Sequence, residues 1–191
     1  MRDDFKMNAL LLGGLSKRSN CEWIYEVEKC VKPFFDKVSV VHYDHWKLEG
    51  EQPINFPVEL EKVVKTVALL DKPYIVIAKS IGSRLALKAL SEGMINPVGM
   101  FICGLPLSSE RESGELLKLL GENKLPTTIL QNVDERYIKP DELRKLLEPF
   151  ENYQVVAGVS GGHSYQAESI AGGLKYFLER FGAISPAQSE K

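Results

Sequence analysis

Two periodicities of apolar residues alternate along this chain. Short stretches that are apolar nearly throughout have the length of strands: Met7–Leu12 (MNALLL), Tyr74–Ala78 and Val98–Cys103; the more mixed Thr127–Gln131 (TTILQ) also reads as a strand. Two further stretches, the β-branched Lys37–Tyr43 (KVSVVHY) and Tyr153–Ala157, read the same way. Between them the spacing becomes helical. In Val58–Leu70, Leu60, Val63, Val64 and Val67 fall on one face, and in the last helical stretch Ile170, Leu174, Phe177, Leu178 and Phe181 do so. Helices are also predicted at Cys21–Phe35, with Asn20 as N-cap and Pro33 marking an early end, at Ile81–Ser91, near Glu115–Leu120, and after Pro140, which suits a first helical turn. Six strands, each followed by a helix, predict an α/β architecture with a mostly parallel sheet covered on both faces. In such a sheet ligands bind beyond the carboxyl ends of the strands, so the residues just after each strand are the place to look for chemistry.

Composition narrows the possibilities. A chain of 191 residues, 44% hydrophobic and 26% charged, suits one globular domain spanning 1–191, with Ala183–Lys191 a fraying tail. A net charge of −2 offers no basic excess for a phosphate backbone, so nucleic acid is not an expected partner. No apolar run approaches a membrane span, and the N-terminal stretch is too short and too acidic for a signal sequence. Cys21, Cys30 and Cys103 form no CxxC pair and fit a reducing, cytoplasmic setting. No metal-ligand cluster stands out, and no cofactor or metal is expected.

The strand ends carry the candidate chemistry. Gly13-Gly14-Leu15-Ser16 after the first strand lacks both GxGxxG and GxxxxGK[ST], which argues against a nucleotide loop. It is either a plain turn or a source of backbone N–H groups for an oxyanion. After the third strand stands Ala78-Lys79-Ser80-Ile81-Gly82. A strand that turns abruptly into a helix brings the residues two before and two after the turn together, so both must be small, and the turn residue stands clear. The plain alternative for Ser80 is a helix N-cap. Asp134 follows the fifth strand and His163 sits in a glycine-flanked loop after the sixth. A serine hydroxyl needs a base to become a nucleophile, an imidazole can be that base, and a carboxylate orients the imidazole. Glu135 and Asp141 compete with Asp134 for the acid role. His42 and His45, near Asp44, read as a solvated turn. Cys103 reads as a buried small hydrophobe, Lys79 and Arg84 as flanks of the elbow that are either simply solvated or attract an acidic substrate, and Trp23 and Trp46 as core.

From Met7 to about Phe181 these residues resemble the α/β-hydrolase superfamily, through the AKSIG elbow and the chain order Ser…Asp…His. The resemblance implies a trimmed fold without the two antiparallel opening strands, and a sheet in the order 2-1-3-4-5-6. It implies Ser80 as nucleophile, Asp134 as orienting acid and His163 as base. It further implies an oxyanion hole made by the N–H of Ile81 with that of Gly14 or Leu15, and a small-molecule acyl substrate. Ala78 stands where most members carry Gly, and Gly13-Gly14 where many carry His-Gly. In this superfamily a substrate lid is usually inserted before the acid strand. Here Gly104–Leu125 has room for little more than a crossover helix, so an open site favouring short acyl chains is expected. The non-catalytic alternatives are a binding or scaffold protein on the same fold and a flavodoxin-like domain.

Overall fold

The computed structural model describes residues 7–50, 52–107 and 111–181, with the backbone alone over 111–113. The expected fraying of Ala183–Lys191 lies outside the described residues. Strands β1 (Asn8–Leu12), β2 (Lys37–Val41), β3 (Tyr74–Lys79), β4 (Gly99–Cys103), β5 (Thr127–Gln131) and β6 (Tyr153–Ala157) form one sheet, ordered β2-β1-β3-β4-β5-β6. Every neighbouring pair is parallel. The sheet order and the parallel arrangement are those expected from the sequence.

Helices α1 (Lys17–Asn20), α2 (Trp23–Val31), α3 (Phe56–Val67), α4 (Ile81–Ser91), α5 (Arg111–Glu122), α6 (Pro140–Leu147) and α7 (Ala167–Phe181) make the crossovers. α2 packs on α7, while α3, α4 and α5 pack side by side, so the sheet is covered on both faces. The all-apolar runs follow from this burial. β1, β3, β4 and β5 are buried at every position, whereas edge strands β2 and β6 are only partly so. α4 brings Leu85, Ala86 and Leu87 fully into the core. Burial of a side chain the size of Leu85 contributes about 1.5–3 kcal/mol, enough to hold the helix that starts at Ser80 firmly on the sheet.

Several helix ends differ from the sequence reading. The cap before α1 is Ser16, whose hydroxyl accepts from Ser19 N. Asn20 caps nothing; it is buried with its amide turned toward the loop after β1. Asn55 caps α3 through Val58 N, so the helix begins at Phe56, two residues ahead of the expected start, with Pro57 accommodated in its first turn. α2 gives way at Val31 to a 3₁₀ turn over Lys32–Phe34 that contains Pro33. Among the described residues no helix is long and apolar enough to cross a membrane.

Candidate active site

The parallel register brings the strand ends to one level. Leu12 pairs with Ala78, Lys79 with Cys103, and Gln131 with Ala157. The loops that follow therefore share one edge of the sheet. Ser80 is the only non-glycine among the described residues with positive φ (φ 52°, ψ −120°). Such a conformation costs of order 1–3 kcal/mol and persists where its surroundings fix it. Here Ser80 N donates to Cys103 O at 3.1 Å, and Ser83 donates to Ser80 O from both its N (2.9 Å) and its Oγ (2.6 Å). No side-chain cap bond is made by Ser80, which removes the plain N-cap reading. Gly82 is needed on steric grounds: a Cβ there would stand 2.6 Å from Gly13 O and 2.9 Å from Leu12 Cβ. The first turn of α4 thus lies directly on the loop after β1. Ile81 opens α4, where the amides have no intrahelical acceptor.

On the other side of the sheet centre, His163 Nδ1 lies 2.9 Å from Glu135 Oε2. The same oxygen accepts from the Tyr165 hydroxyl at 2.7 Å, and Oε1 accepts from Arg136 N. Asp134, the carboxylate expected from the sequence, does not reach His163. It is exposed and binds the turn of the histidine loop instead, accepting from Ser160 Oγ (2.6 Å), Gly161 N (2.9 Å) and Gly162 N (2.8 Å). Consecutive residues of the tight turn closed by Glu135 N and Asn132 O face opposite ways, and the inward one is Glu135. Asn132 holds the loop from beneath, its Nδ2 donating to Gly162 O and Ser164 O. Asp141, the third carboxylate considered, pairs with Arg144 on exposed α6.

Because Nδ1 faces a carboxylate, it carries the hydrogen, and Nε2 is the ring's acceptor. His163 Nε2 is buried and makes no hydrogen bond. Its neighbour along the ring, Cε1, stands 3.0 Å from where a Cβ on Gly104 would lie. Gly104 adjoins Cys103, whose carbonyl holds Ser80 N, so the ring edge stands over the strand end beside the elbow.

The flanking residues take roles that differ from their sequence readings. Lys79 is buried rather than solvated, its Nζ 3.2 Å from Asn20 Oδ1 and 4.5 Å from the Trp23 ring centre. His45 is buried too, between Glu59 Oε1 (2.9 Å from Nδ1) and Leu15 O (2.9 Å from Nε2), while His42 is exposed beside Tyr25. Gly14 N donates to Asn20 Oδ1 at 2.9 Å and so is not free for an oxyanion. Cys103 is fully buried and desolvation pushes its thiol up, away from thiolate chemistry, although the Lys79 charge pulls the other way.

Burial raises the Glu135 carboxyl, but hydrogen bonds from His163 and Tyr165 and the histidine charge outweigh it, and the net shift is downward. Desolvation pushes the Tyr165 phenol up, so it remains a donor. A carboxylate whose folded pKa is depressed contributes stability above its unfolded value and loses it as the pH falls through the folded one. Thermal stability should therefore decline as the pH is taken below 4.5, and part of that decline should be missing in Glu135→Gln. Melting curves of the two proteins over that range test this; identical pH slopes would mean that the fold does not favour the Glu135 charge.

No protein-family profile and no curated relative matches the chain. Solved structures do. Est1E from Butyrivibrio proteoclasticus, solved with ferulic acid bound, superposes with a TM-score of 0.69 at 12% identity, over 95% of this chain and 92% of its own. The N-formylmaleamic acid deformylase of Pseudomonas putida S16 gives 0.67 at 14%, over 91% and 92%. The peroxisomal α/β-hydrolase Lpx1 of Saccharomyces cerevisiae gives 0.64 at 13%, over 100% and 82%. Sequence identities this low speak to architecture alone. The match in sheet order, strand direction and covering helices establishes that this chain has the α/β-hydrolase fold.

Proposed function

We propose that the protein is a serine hydrolase acting on an ester, thioester or related acyl bond, with Ser80 as nucleophile, His163 as base and Glu135 as the acid that orients it. The observation that carries this reading is the pairing of His163 Nδ1 with Glu135, which leaves Nε2 as the unbonded acceptor of a ring that lies against Gly104, next to the Cys103 carbonyl that accepts from the strained Ser80. Similarity to solved structures that include a deformylase supports it at the level of reaction class.

In the proposed mechanism Nε2 takes the Ser80 proton as Oγ bonds to the acyl carbon. The negative charge moves to the former carbonyl oxygen, where the N–H groups of Ile81 and Leu15 stabilise it. Collapse breaks the bond to the leaving group, which departs with the proton from Nε2. Water then repeats the sequence on the acyl-serine, giving the free acid and restoring Ser80. Glu135 remains ionised throughout and steadies the transient imidazolium.

A fluorophosphonate probe should label the protein, and mass spectrometry should place the adduct on Ser80. Failure to label folded protein would favour the non-catalytic binding or scaffold reading. In the same preparation a nitrophenyl ester series should show higher rates on short chains. Between β4 and β5 the described crossover consists of the strand-end turn and α5, with residues 108–110 outside it, and rates climbing toward long chains would refute an open site.

A further inference from the structure

The loop Gly13–Ser16 is held by an unusual number of side chains. Tyr43 Oη donates to Gly13 O at 3.0 Å, and His45 Nε2 and Trp46 Nε1 both reach Leu15 O. Asn20 grips it from the other side, its Oδ1 accepting from Gly14 N (2.9 Å) and its Nδ2 donating to Ser16 O (2.6 Å). The same Oδ1 accepts from Lys79 Nζ at 3.2 Å.

That last bond sets Lys79 apart. The residue is 5% exposed, and its ammonium meets a neutral amide and the Trp23 ring, not a carboxylate. Burying a charge this way is costly, and an apolar side chain of similar length would fill the space at lower cost. Desolvation pulls the Lys79 ammonium down, with Cys103 and Glu135 acting against it. Lys79 also immediately precedes Ser80. We propose that Lys79 and Asn20 are positioning residues that lock the loop after β1 to the nucleophile elbow and aim the Leu15 N–H at the oxyanion; the proposal rests on the serine-hydrolase reading.

The physical argument is one of orientation. Lysine is a donor only, so it fixes which end of the Asn20 amide faces the elbow. Once Oδ1 is set, Gly14 N–H must turn toward it, and Nδ2 must turn toward Ser16 O. With the carbonyls of Gly13 and Leu15 also tied down, the peptide between Gly14 and Leu15 has one orientation left. An oxyanion donor acts in the transition state more than in the ground state, so a loosened loop should lower kcat and leave KM nearly unchanged.

The test compares wild type with Lys79→Met, Asn20→Ala and the double variant, using a short-chain nitrophenyl ester and the saturating rate of fluorophosphonate labelling. Each single variant should lose at least about tenfold in kcat, part of the 10²–10³-fold that a whole oxyanion donor carries, with KM within about twofold. The double variant should be no worse than the weaker single by more than about twofold, because both act through one loop. Lys79→Leu replaces Lys79→Met if the latter does not fold, and Lys79→Gln, which keeps a donor without the charge, should recover part of the lost kcat. Unchanged kcat in folded variants, a change confined to KM, or additive losses would each overturn the proposal. Wild type labelled at Ser80 with variants labelling equally fast fails this proposal alone, whereas wild type that does not label fails the serine-hydrolase reading and this proposal with it.

Discussion

Replacing Ser80 with alanine should cut acyl-ester turnover by on the order of 10⁴–10⁶-fold while leaving the fold intact, as losses of triad nucleophiles do elsewhere. Alanine keeps the Cβ and therefore the strain at φ 52°. The backbone bonds that fix this turn, from Ser80 N to Cys103 O and from Ser83 N to Ser80 O, involve no Ser80 side-chain atom. Ser80→Gly separates the two properties further. Glycine adopts this conformation freely, which relieves roughly 1–3 kcal/mol of strain against a loss of up to about 1 kcal/mol from the more flexible unfolded chain. It should be as inactive as the alanine variant and more stable by about 1 kcal/mol. Turnover and thermal unfolding measured together decide the matter, and near-normal turnover in folded Ser80→Ala would remove Ser80 from the chemistry. His163→Ala added to Ser80→Ala should cost almost nothing more, since groups that act as a unit lose their effect together. If the losses instead multiply, His163 works outside the Ser80 step.

The second large effect distinguishes two adjacent carboxylates. Glu135→Gln should lower kcat by about 10³–10⁴-fold, because an amide in place of the carboxylate allows the wrong imidazole tautomer and no longer stabilises the imidazolium. Asp134→Asn should stay within about tenfold of wild type. Its carboxylate binds Ser160 Oγ and the amides of Gly161 and Gly162, so its loss loosens the histidine loop without removing the partner of Nδ1. These hydrogen bonds, that of Ser160 first, hold the Asp134 carboxyl far below its ordinary range, which by itself would make it look like the functional acid. A perturbed carboxylate can be structural, and under the proposed mechanism the acid is the carboxylate on the imidazole, Glu135. Steady-state kinetics on both variants check the order, and a larger loss in Asp134→Asn would return the acid role to that residue.

Much of the architecture follows from local pattern. Three runs that are apolar on both faces can be satisfied only as interior strands of a covered sheet, and β1, β3 and β4 are those strands, with the more polar β5 buried beside them. The elbow was legible for a steric reason: only small residues fit on either side of so sharp a turn, and at Gly82 a Cβ would stand 2.6 Å from Gly13 O. The position of His163 in a loop rich in glycine was likewise a local signal.

The carboxylate partner of His163 was not legible, and its reason is one residue of turn geometry. Asp134 and Glu135 are equally close to the end of β5, and only the turn from Asn132 to Glu135 decides which points inward to Tyr165 and His163. The same limit applies to Asn20 and Lys79. In sequence they look like a cap and a solvated flank, and they are 59 residues apart. They meet because β1 and β3 lie side by side, so a buried amide and a buried ammonium satisfy each other across the sheet. The sequence by itself determined the strands, the helices and the sharp turn at Ser80, because those depend on side-chain period and bulk within a few residues. Which carboxylate holds His163, which amide of the first loop Asn20 binds, and why a lysine stands buried beside Ser80 were decided only by tertiary structure, since each depends on the direction of polar groups brought together from distant strand ends.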